Sequence, residues 1–465
     1  MRVTLDNQLE SILRGRFDPE QYSIKIFDTN YEENSSYLVF FHERYHHFQN
    51  VFSPYGHMKW SIDRDNSNQI IKKWVELTND LDVKKIVPIS AYLSEENIDS
   101  IKVLYNMYFY YLSIRLQLIA EGKSIAESDL KLMGYNYEDI IPKITINENQ
   151  YELNGIDVIE SCAKFQEAML AYTFERIDIN EIISPDKLDE RYYIALYYFI
   201  ENLGMDRINE FPIVCELSLA FSELILPDNL KRLYKNHIAW RFIKIIDFLK
   251  EHHLKLKDFS EKSFLDYTNT ILEGCNYDTW DILWNKWQKY ENNCDLKFST
   301  EMSKLIDYKK SHLWILSYPL FYLNEIINNA LLSPHYIILE QGVFYNGNLI
   351  DEIFFENNFK ALSNQIIGID SKYRQYPCSL MCADQYYGLK QCKYFLNGDC
   401  DGHVDYSTQF PMLELDNDDN IINGCEFEVV LKLCDIDLNE IVVKSFNTKY
   451  CFDDIIKRYK DLSEK

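Results

Sequence analysis

The chain has 465 residues, a formal net charge of −25, and 47% hydrophobic and 15% aromatic residues. Such a composition indicates a globular protein with a large core, and the length predicts two or three domains. The acidic balance argues against nucleic acid as a principal partner, because phosphate binding needs clustered lysine and arginine. The sequence shows no membrane anchor, signal-peptide run or disulfide pattern among its eleven cysteines, so we expect a cytoplasmic protein without a membrane partner.

Helical periodicity dominates the chain and sets the expected fold class, mainly α (α+β). It predicts helices over residues 35–53, 67–80, 94–121, 156–176, 189–204, 211–225, 229–250, 278–292 and 314–331. The clearest strand signal is a small β-hairpin, Lys143–Ile146 and Gln150–Leu153, around the polar turn 147–149. Two further β-rich segments are Tyr336–Asn348 and Phe427–Leu433.

Composition changes near residue 370, where helical periodicity ends and cysteines become frequent. A second division near residue 227 is placed within the helical part. These boundaries predict three domains, at 1–227, 228–370 and 371–465.

The first predicted helix contains a His-Glu-x-x-His motif, formed by His42, Glu43 and His46. Residues four apart on a helix point the same way, so His42 and His46 can present two imidazole nitrogens to one metal ion. Glu43 lies one residue further round the helix and can reach a water at an open coordination position. The helix itself is predicted by an apolar stripe of helical period, Leu38, Phe41, Tyr45, Phe48 and Phe52.

A hydrolytic zinc takes three protein ligands and leaves the fourth position for water. The metzincin arrangement of a third ligand fails, because Gln49 and Phe52 occupy the positions that need Gly and His. A glutamate from a second helix is the other arrangement, and it favours the predicted helix 156–176. There Glu160 and Glu167 share a face with alanines, so we predict Glu160 as the ligand and Glu167 as an orienting neighbour. An exchange of roles between the two glutamates is the alternative.

Other residues are weaker candidates for the site. His57, in a predicted loop after Pro54, and Glu76 are alternative third ligands. Gln49 lies on the helical side from which it can orient a ligand. Tyr172 and His237 are candidate donors to an oxyanion.

On these residues the chain resembles the gluzincin group of zinc metallopeptidases. The resemblance rests on His42, Glu43 and His46, with Glu160 in a Glu-x-x-Ala-x-x-x-Glu segment. The chain is also similar to uncharacterised bacterial proteins with a His-Glu-x-x-His-x-x-Gln helix, since Gln49 completes that pattern. The resemblance implies a helical zincin-like metallopeptidase core, with Glu43 as general base toward a zinc-activated water.

A second constellation, Cys378-x3-Cys382-x9-Cys392-x7-Cys400-x2-His403, defines a Cys-rich C-terminal module. Thiolates this close in a reducing compartment often share a structural zinc, which predicts a second Zn²⁺. An iron–sulfur cluster also uses four cysteines, and buried free thiols are a third interpretation.

The predicted function is a zinc-dependent peptidase that hydrolyses peptide bonds of a protein or peptide substrate. One alternative is a non-catalytic zinc-binding regulatory or interaction protein. Another is a zinc hydrolase that acts on a non-peptide amide or ester. Glu43 discriminates between catalytic and structural zinc, because a structural zinc has no use for a carboxylate beside an open position.

Overall fold

The structure is a computed structural model of the chain. The residues that it describes are 15–18, 23–26, 36–117, 130–131, 133–175, 192–221, 237–258, 260–291, 336–339, 342–345, 362–363, 366–367, 414–415, 421–423, 431, 434, 436, 440–443 and 452–464. This part of the chain is mostly helical with little sheet, which confirms the mainly-α class. None of its helices is long and apolar enough to cross a bilayer.

The helices follow one another along the chain with short connections where these are described. They are α1 (Ser36–Phe52), α2 (Pro54–Asp80), α3 (Ile98–Gln117), α4 (Tyr137–Ile140), α5 (Gly155–Glu175), α6 (Ile194–Leu203), α7 (Phe211–Ser218), α8 (Ile238–His252), α9 (Glu261–Gly274), α10 (Trp280–Glu291) and α11 (Phe452–Ser463). Short 3₁₀ helices lie at Ile89–Ser94 and Met205–Glu210.

The strands are short. They are β1 (Gly15–Asp18), β2 (Ser23–Ile26), β3 (Lys85–Val87), β4 (Lys143–Ile146), β5 (Asn149–Glu152), β6 (Tyr336–Leu339), β7 (Gly342–Tyr345), β8 (Glu414–Leu415), β9 (Ile421–Asn423) and β10 (Ile441–Val443). The largest sheet has the order β1-β2-β6-β7, in which β2 and β6 are parallel and the outer pairs antiparallel. The remaining sheets are two-stranded: β4 with β5, β8 with β9, and the parallel pair β3 with β10.

The chain divides into two compact units. One comprises Met1–Lys59 with Leu116–Gly347, and the other comprises Trp60–Arg115 with Asn348–Lys465. The division into three domains at 227 and 370 stays a prediction.

Most predicted helices are present. The helices predicted at 35–53, 94–121, 156–176, 189–204 and 278–292 correspond to α1, α3, α5, α6 and α10, with ends that differ by a few residues. The helix predicted at 67–80 is the second half of α2, and α8 covers the described part of the helix predicted at 229–250. The helix predicted at 211–225 ends at Ser218, and α9 was not predicted. The β-rich segment at 336–348 contains β6 and β7, whereas only Leu431 of 427–433 is described. The predicted helix at 314–331 lies outside the described residues.

The end of α1 and the start of α2 correct one prediction. Pro54 does end α1, but it also begins α2, so His57 lies in a helix and not in a loop. Ser53 acts as the N-cap, because its Oγ accepts a hydrogen bond of 2.8 Å from the backbone N–H of Gly56. Proline is favoured at the first helical position, where its missing N–H costs no bond. The side chain of His57 is outside the described residues.

Gly56 is required at this junction. A Cβ there would lie 2.0 Å from the backbone oxygen of Asn50, so the two helices approach closely only because the residue has no side chain.

The hairpin and the start of α5 are built by local signals. Strands β4 and β5 pair antiparallel, and Asn147 and Glu148 adopt left-handed φ values of 48° and 68°, as a type I′ turn needs. Asp157 then accepts a hydrogen bond of 2.8 Å from the backbone N–H of Asn154, which closes the first turn of α5. The hairpin prediction is therefore confirmed.

The second unit has a core of its own. Lys85 of β3 donates to Glu440 at 2.8 Å, next to the parallel register that pairs Lys85 with Ile441. The buried side chains of this core include Trp74, Tyr92, Leu104, Leu431 and Ile455.

Candidate metal centre

Helices α1 and α5, which pack against each other, carry the site. The apolar stripe of α1 is buried, with Phe41, Tyr45 and Phe48 at 3–4% exposure. The Tyr45 hydroxyl lies 3.4 Å from Sγ of Cys162, and Gln166 donates to the same hydroxyl at 3.5 Å. Because the apolar stripe of α1 faces α5, His42 and His46, which lie next to the stripe, are brought to the side of α5.

Three ligand atoms meet between the two helices. Nε2 of His46 lies 3.0 Å from Nε2 of His42 and 3.0 Å from Oε2 of Glu160. The third distance, from Nε2 of His42 to the same carboxylate oxygen, is 3.2 Å. The predicted His42, His46 and Glu160 are thus brought together, and they form the group in the described residues that could hold a metal ion.

The triangle has the size that a zinc ion requires. Two ligand atoms about 2.0–2.1 Å from a tetrahedral ion are about 3.3–3.4 Å apart, close to the separations seen here. Two imidazole nitrogens and one carboxylate oxygen also match the donor types that zinc takes in catalytic sites. The residues present therefore fit the ion.

Hydrogen bonds alone account poorly for this triangle. Each imidazole nitrogen has a single in-plane direction for its proton or lone pair. Seen from any one of the three atoms, the other two lie in directions about 60° apart. A good hydrogen bond needs a donor–hydrogen–acceptor angle above about 150°, so one proton or lone pair can be aimed well at only one neighbour. No ring nitrogen can therefore bond well to both neighbours, although a shared ion can be bound by all three.

Neighbouring acceptors fix the tautomer of each imidazole. Nδ1 of His46 lies 3.1 Å from Oε1 of Gln49, whose Nε2 donates to the carbonyl of Ile159 at 3.4 Å. Nδ1 of His42 lies 3.3 Å from Oε2 of Glu167. Because both neighbours are acceptors, a proton on each Nδ1 would be favoured when a metal ion binds, and each Nε2 would then offer its lone pair to the ion. Gln49 and Glu167 thus lie where orienting residues were predicted.

The charges at the site favour a cation. Burial alone would lower the pKa of His42, but hydrogen bonds to Glu160 and Glu167 and the charge of Glu43 outweigh it and raise the pKa to about 9. Burial would raise the pKa of Glu160, yet His46 and His42 hold that pKa well below its usual range. Glu160 is therefore ionised, and a proton on His42 takes up the place that a metal ion would compete for.

Glu43 is a buried carboxylate beside the ligands. Its residue is 9% exposed, and its negative charge is felt by His42. Glu160 and Glu167 add two further carboxylates around His42, and Lys164 lies 2.7 Å from Glu167. A divalent cation would reduce the repulsion among these carboxylates.

Other predicted residues lie elsewhere or are not described. Glu76 is exposed and pairs with Lys73 at 3.0 Å, as a solvated helix face does. His237 is fully buried, and Tyr172 is 49% exposed on α5; their predicted role as donors to an oxyanion stays a prediction. The predicted second metal site, Cys378, Cys382, Cys392, Cys400 and His403, lies outside the described residues.

Two residues near the site were missed from the sequence. The ring of Tyr192 lies edge-on to that of His42, with centroids 5.7 Å apart. Lys164 pairs with Glu167. The second could have been found, since it lies three residues before a predicted site residue on the same helix; nothing in the sequence indicated Tyr192.

No family model, no curated protein and no solved structure matches this chain.

Proposed function

We propose that the chain is a zinc-dependent peptidase that hydrolyses peptide bonds of a protein or peptide substrate. The observation that carries the proposal is the convergence of His42, His46 and Glu160 within 3.0–3.2 Å of one another. Structural zinc sites are closed by four protein ligands, whereas catalytic sites use three and leave one position open. In the described residues the metal-binding group has three members.

The chain's own residues supply the rest of the chemistry. A zinc ion, when bound, would polarise a carbonyl and lower the pKa of a water that it holds. Glu43 then accepts a proton from the attacking water and passes it to the leaving amine. Gln49 and Glu167 lie next to Nδ1 of the two imidazoles, so that a proton on each Nδ1 would leave Nε2 to bind the ion. The gluzincin resemblance supports the same assignment of roles.

Metal content tests the site directly. The number of zinc and iron atoms per chain is measured by mass spectrometry for the wild type and for His42→Ala/His46→Ala. We expect the variant to lose one zinc. A matched control, His252→Ala/His253→Asn, removes two exposed histidines and keeps a residue that tolerates the left-handed φ of 49° at position 253. Equal zinc in all three proteins would contradict the proposal, and iron in place of zinc would favour an oxidative centre.

Glu43→Gln separates catalysis from binding. Zinc-loaded wild type and variant are compared on a library of internally quenched peptides. We expect the variant to retain its zinc and its helical circular dichroism but to lose about 10²–10⁴-fold in rate, the range for removal of a general base. Zinc binding without hydrolysis in the wild type would favour the non-catalytic regulatory protein.

A further inference from the structure

His42 is contacted by a carboxylate at each of its ring nitrogens. Glu160 lies 3.2 Å from Nε2, and Glu167 lies 3.3 Å from Nδ1. The other oxygen of Glu167, Oε1, accepts a hydrogen bond of 2.7 Å from Nζ of Lys164. A chain of contacts therefore runs from Lys164 through Glu167 to His42, which is one of the candidate metal ligands.

Two glutamates near one ion compete for it. A glutamate side chain has several rotatable bonds, and a divalent cation attracts both carboxylates. In this structure Oε2 of Glu167 lies 3.3 Å from Nδ1 of His42, and Oε1 accepts a hydrogen bond from the ammonium group of Lys164. The ammonium group thus holds the Glu167 carboxylate at Nδ1, on the side of the ring away from the ligand atoms.

We propose that Lys164 is a positioning residue, which keeps Glu167 on Nδ1 of His42 and so reserves the metal for Glu160. The inference rests on the zinc site of the proposed function and not on its hydrolytic step. It assigns different roles to two glutamates that share one helical face.

The sign of the effect distinguishes this role from simpler ones. If Lys164 acted only through its charge, its removal would leave the site more negative and zinc would bind more tightly. If the pair were an ordinary surface contact, with Lys164 at 28% exposure, its removal would change nothing at the site. Only the positioning role predicts that Lys164→Met binds zinc more weakly, because Glu167 would then leave Nδ1 of His42 and no longer orient that imidazole.

The experiment measures the zinc dissociation constant of the full chain by competition with a chromophoric chelator. Zinc retained by His42→Ala/His46→Ala is subtracted. We expect Lys164→Met to bind about 10-fold more weakly, and Lys164→Arg to bind like the wild type, because a guanidinium can also donate to Oε1. Lys164→Met/Glu167→Gln should bind no more weakly than Glu167→Gln alone, since both changes break the same contact.

Lys73→Met is the matched control. It removes the lysine of another i,i+3 pair, Lys73 with Glu76 at 3.0 Å, and leaves the site intact. Cobalt absorption spectra give a second readout, because a change of carboxylate ligand alters the ligand field of the ion. Circular dichroism confirms that each variant is folded.

Each outcome decides a different claim. If the wild type takes up no zinc that depends on His42 and His46, both the proposed function and this inference fail. If it does, but Lys164→Met binds zinc equally or more tightly with an unchanged cobalt spectrum, only the positioning role fails.

Discussion

Gln49→Leu tests how the chain orients its metal ligands. Gln49 is 5% exposed, and its amide links Nδ1 of His46 to the backbone carbonyl of Ile159 on α5. Leucine has a similar volume, so the substitution removes both hydrogen bonds without opening a large cavity. The Nδ1–H of His46 is then buried without an acceptor, at a cost of about 1–3 kcal/mol.

That cost falls on the tautomer that binds metal. Without Gln49 the imidazole gains nothing by carrying its proton on Nδ1, and a proton on Nε2 blocks the ligand atom. We therefore expect the zinc dissociation constant to rise about 10–100-fold, which corresponds to about 1.4–2.7 kcal/mol. The assay is the chelator competition described above, run at constant pH.

Gln166→Leu is the control for this substitution. Gln166 is also buried between α1 and α5, but it donates to Tyr45 and does not touch a ligand. Both variants lose a buried amide, and only Gln49→Leu loses a tautomer-fixing contact. Equal zinc affinity in the wild type and Gln49→Leu would refute the reasoning, and so would an equal loss in the two variants.

Three further predictions concern stability. Burial lowers the pKa of His237 to about 3, below its ordinary value of 6.5. Between these two pH values the unfolded chain binds a proton at His237 that the folded chain does not, so the free energy of unfolding decreases as the pH is lowered from 6.5 to 3. Between pH 6.5 and pH 5 the wild type should lose about 1.6 kcal/mol more than His237→Leu in urea unfolding; an equal loss would contradict burial of a neutral ring. Glu210→Ala should lower the free energy of unfolding by about 3–5 kcal/mol, because it leaves Arg207 buried beside Tyr267 without its carboxylate. Asp206→Ala is the control: it breaks the exposed Lys255–Asp206 pair, and its unfolding midpoint should equal that of the wild type. Zinc at about 100 times the dissociation constant of the site should stabilise the wild type by about 2.7 kcal/mol more than it stabilises His42→Ala/His46→Ala, as measured by the melting temperature of each protein with and without zinc.

The site was more predictable than much of the fold, because helical periodicity encodes it locally. His42 and His46 are four residues apart, and Glu160 shares a helical face with alanines and Glu167. A carboxylate on a face that packs needs a partner, and a metal ion can supply it. By contrast, the pairing of β2 with β6 joins strands from opposite ends of the first unit, and short strands carry too little signal to show their partner.

Helix α9 was not predicted, although its sequence carries two helical signals. Phe264, Tyr267 and Ile271 recur at helical spacing and are buried, and the Ser260 side chain caps the helix at the backbone N–H of Ser263. Thr268 and Gly274 are poor helix formers and weaken the pattern. In the structure Thr268 is fully buried and accepts a hydrogen bond of 3.1 Å from Nε1 of Trp280.

The register of α1 against α5 explains why one helix pair provides both the candidate ligands and the groups next to them. Contacts run in opposite directions along the two helices: Gln49 reaches Ile159, His46 reaches Glu160, and His42 reaches Glu167. The helices are therefore antiparallel, and about seven residues of each, or about 10 Å, span the site. Because His42 also reaches Glu160 through its other nitrogen, its ring bridges the two glutamates. The sequence shows the spacing within each helix, but the antiparallel register is what brings the two spacings together into a group that could hold a metal ion, and the contact of Tyr45 with Cys162 lies within the same register.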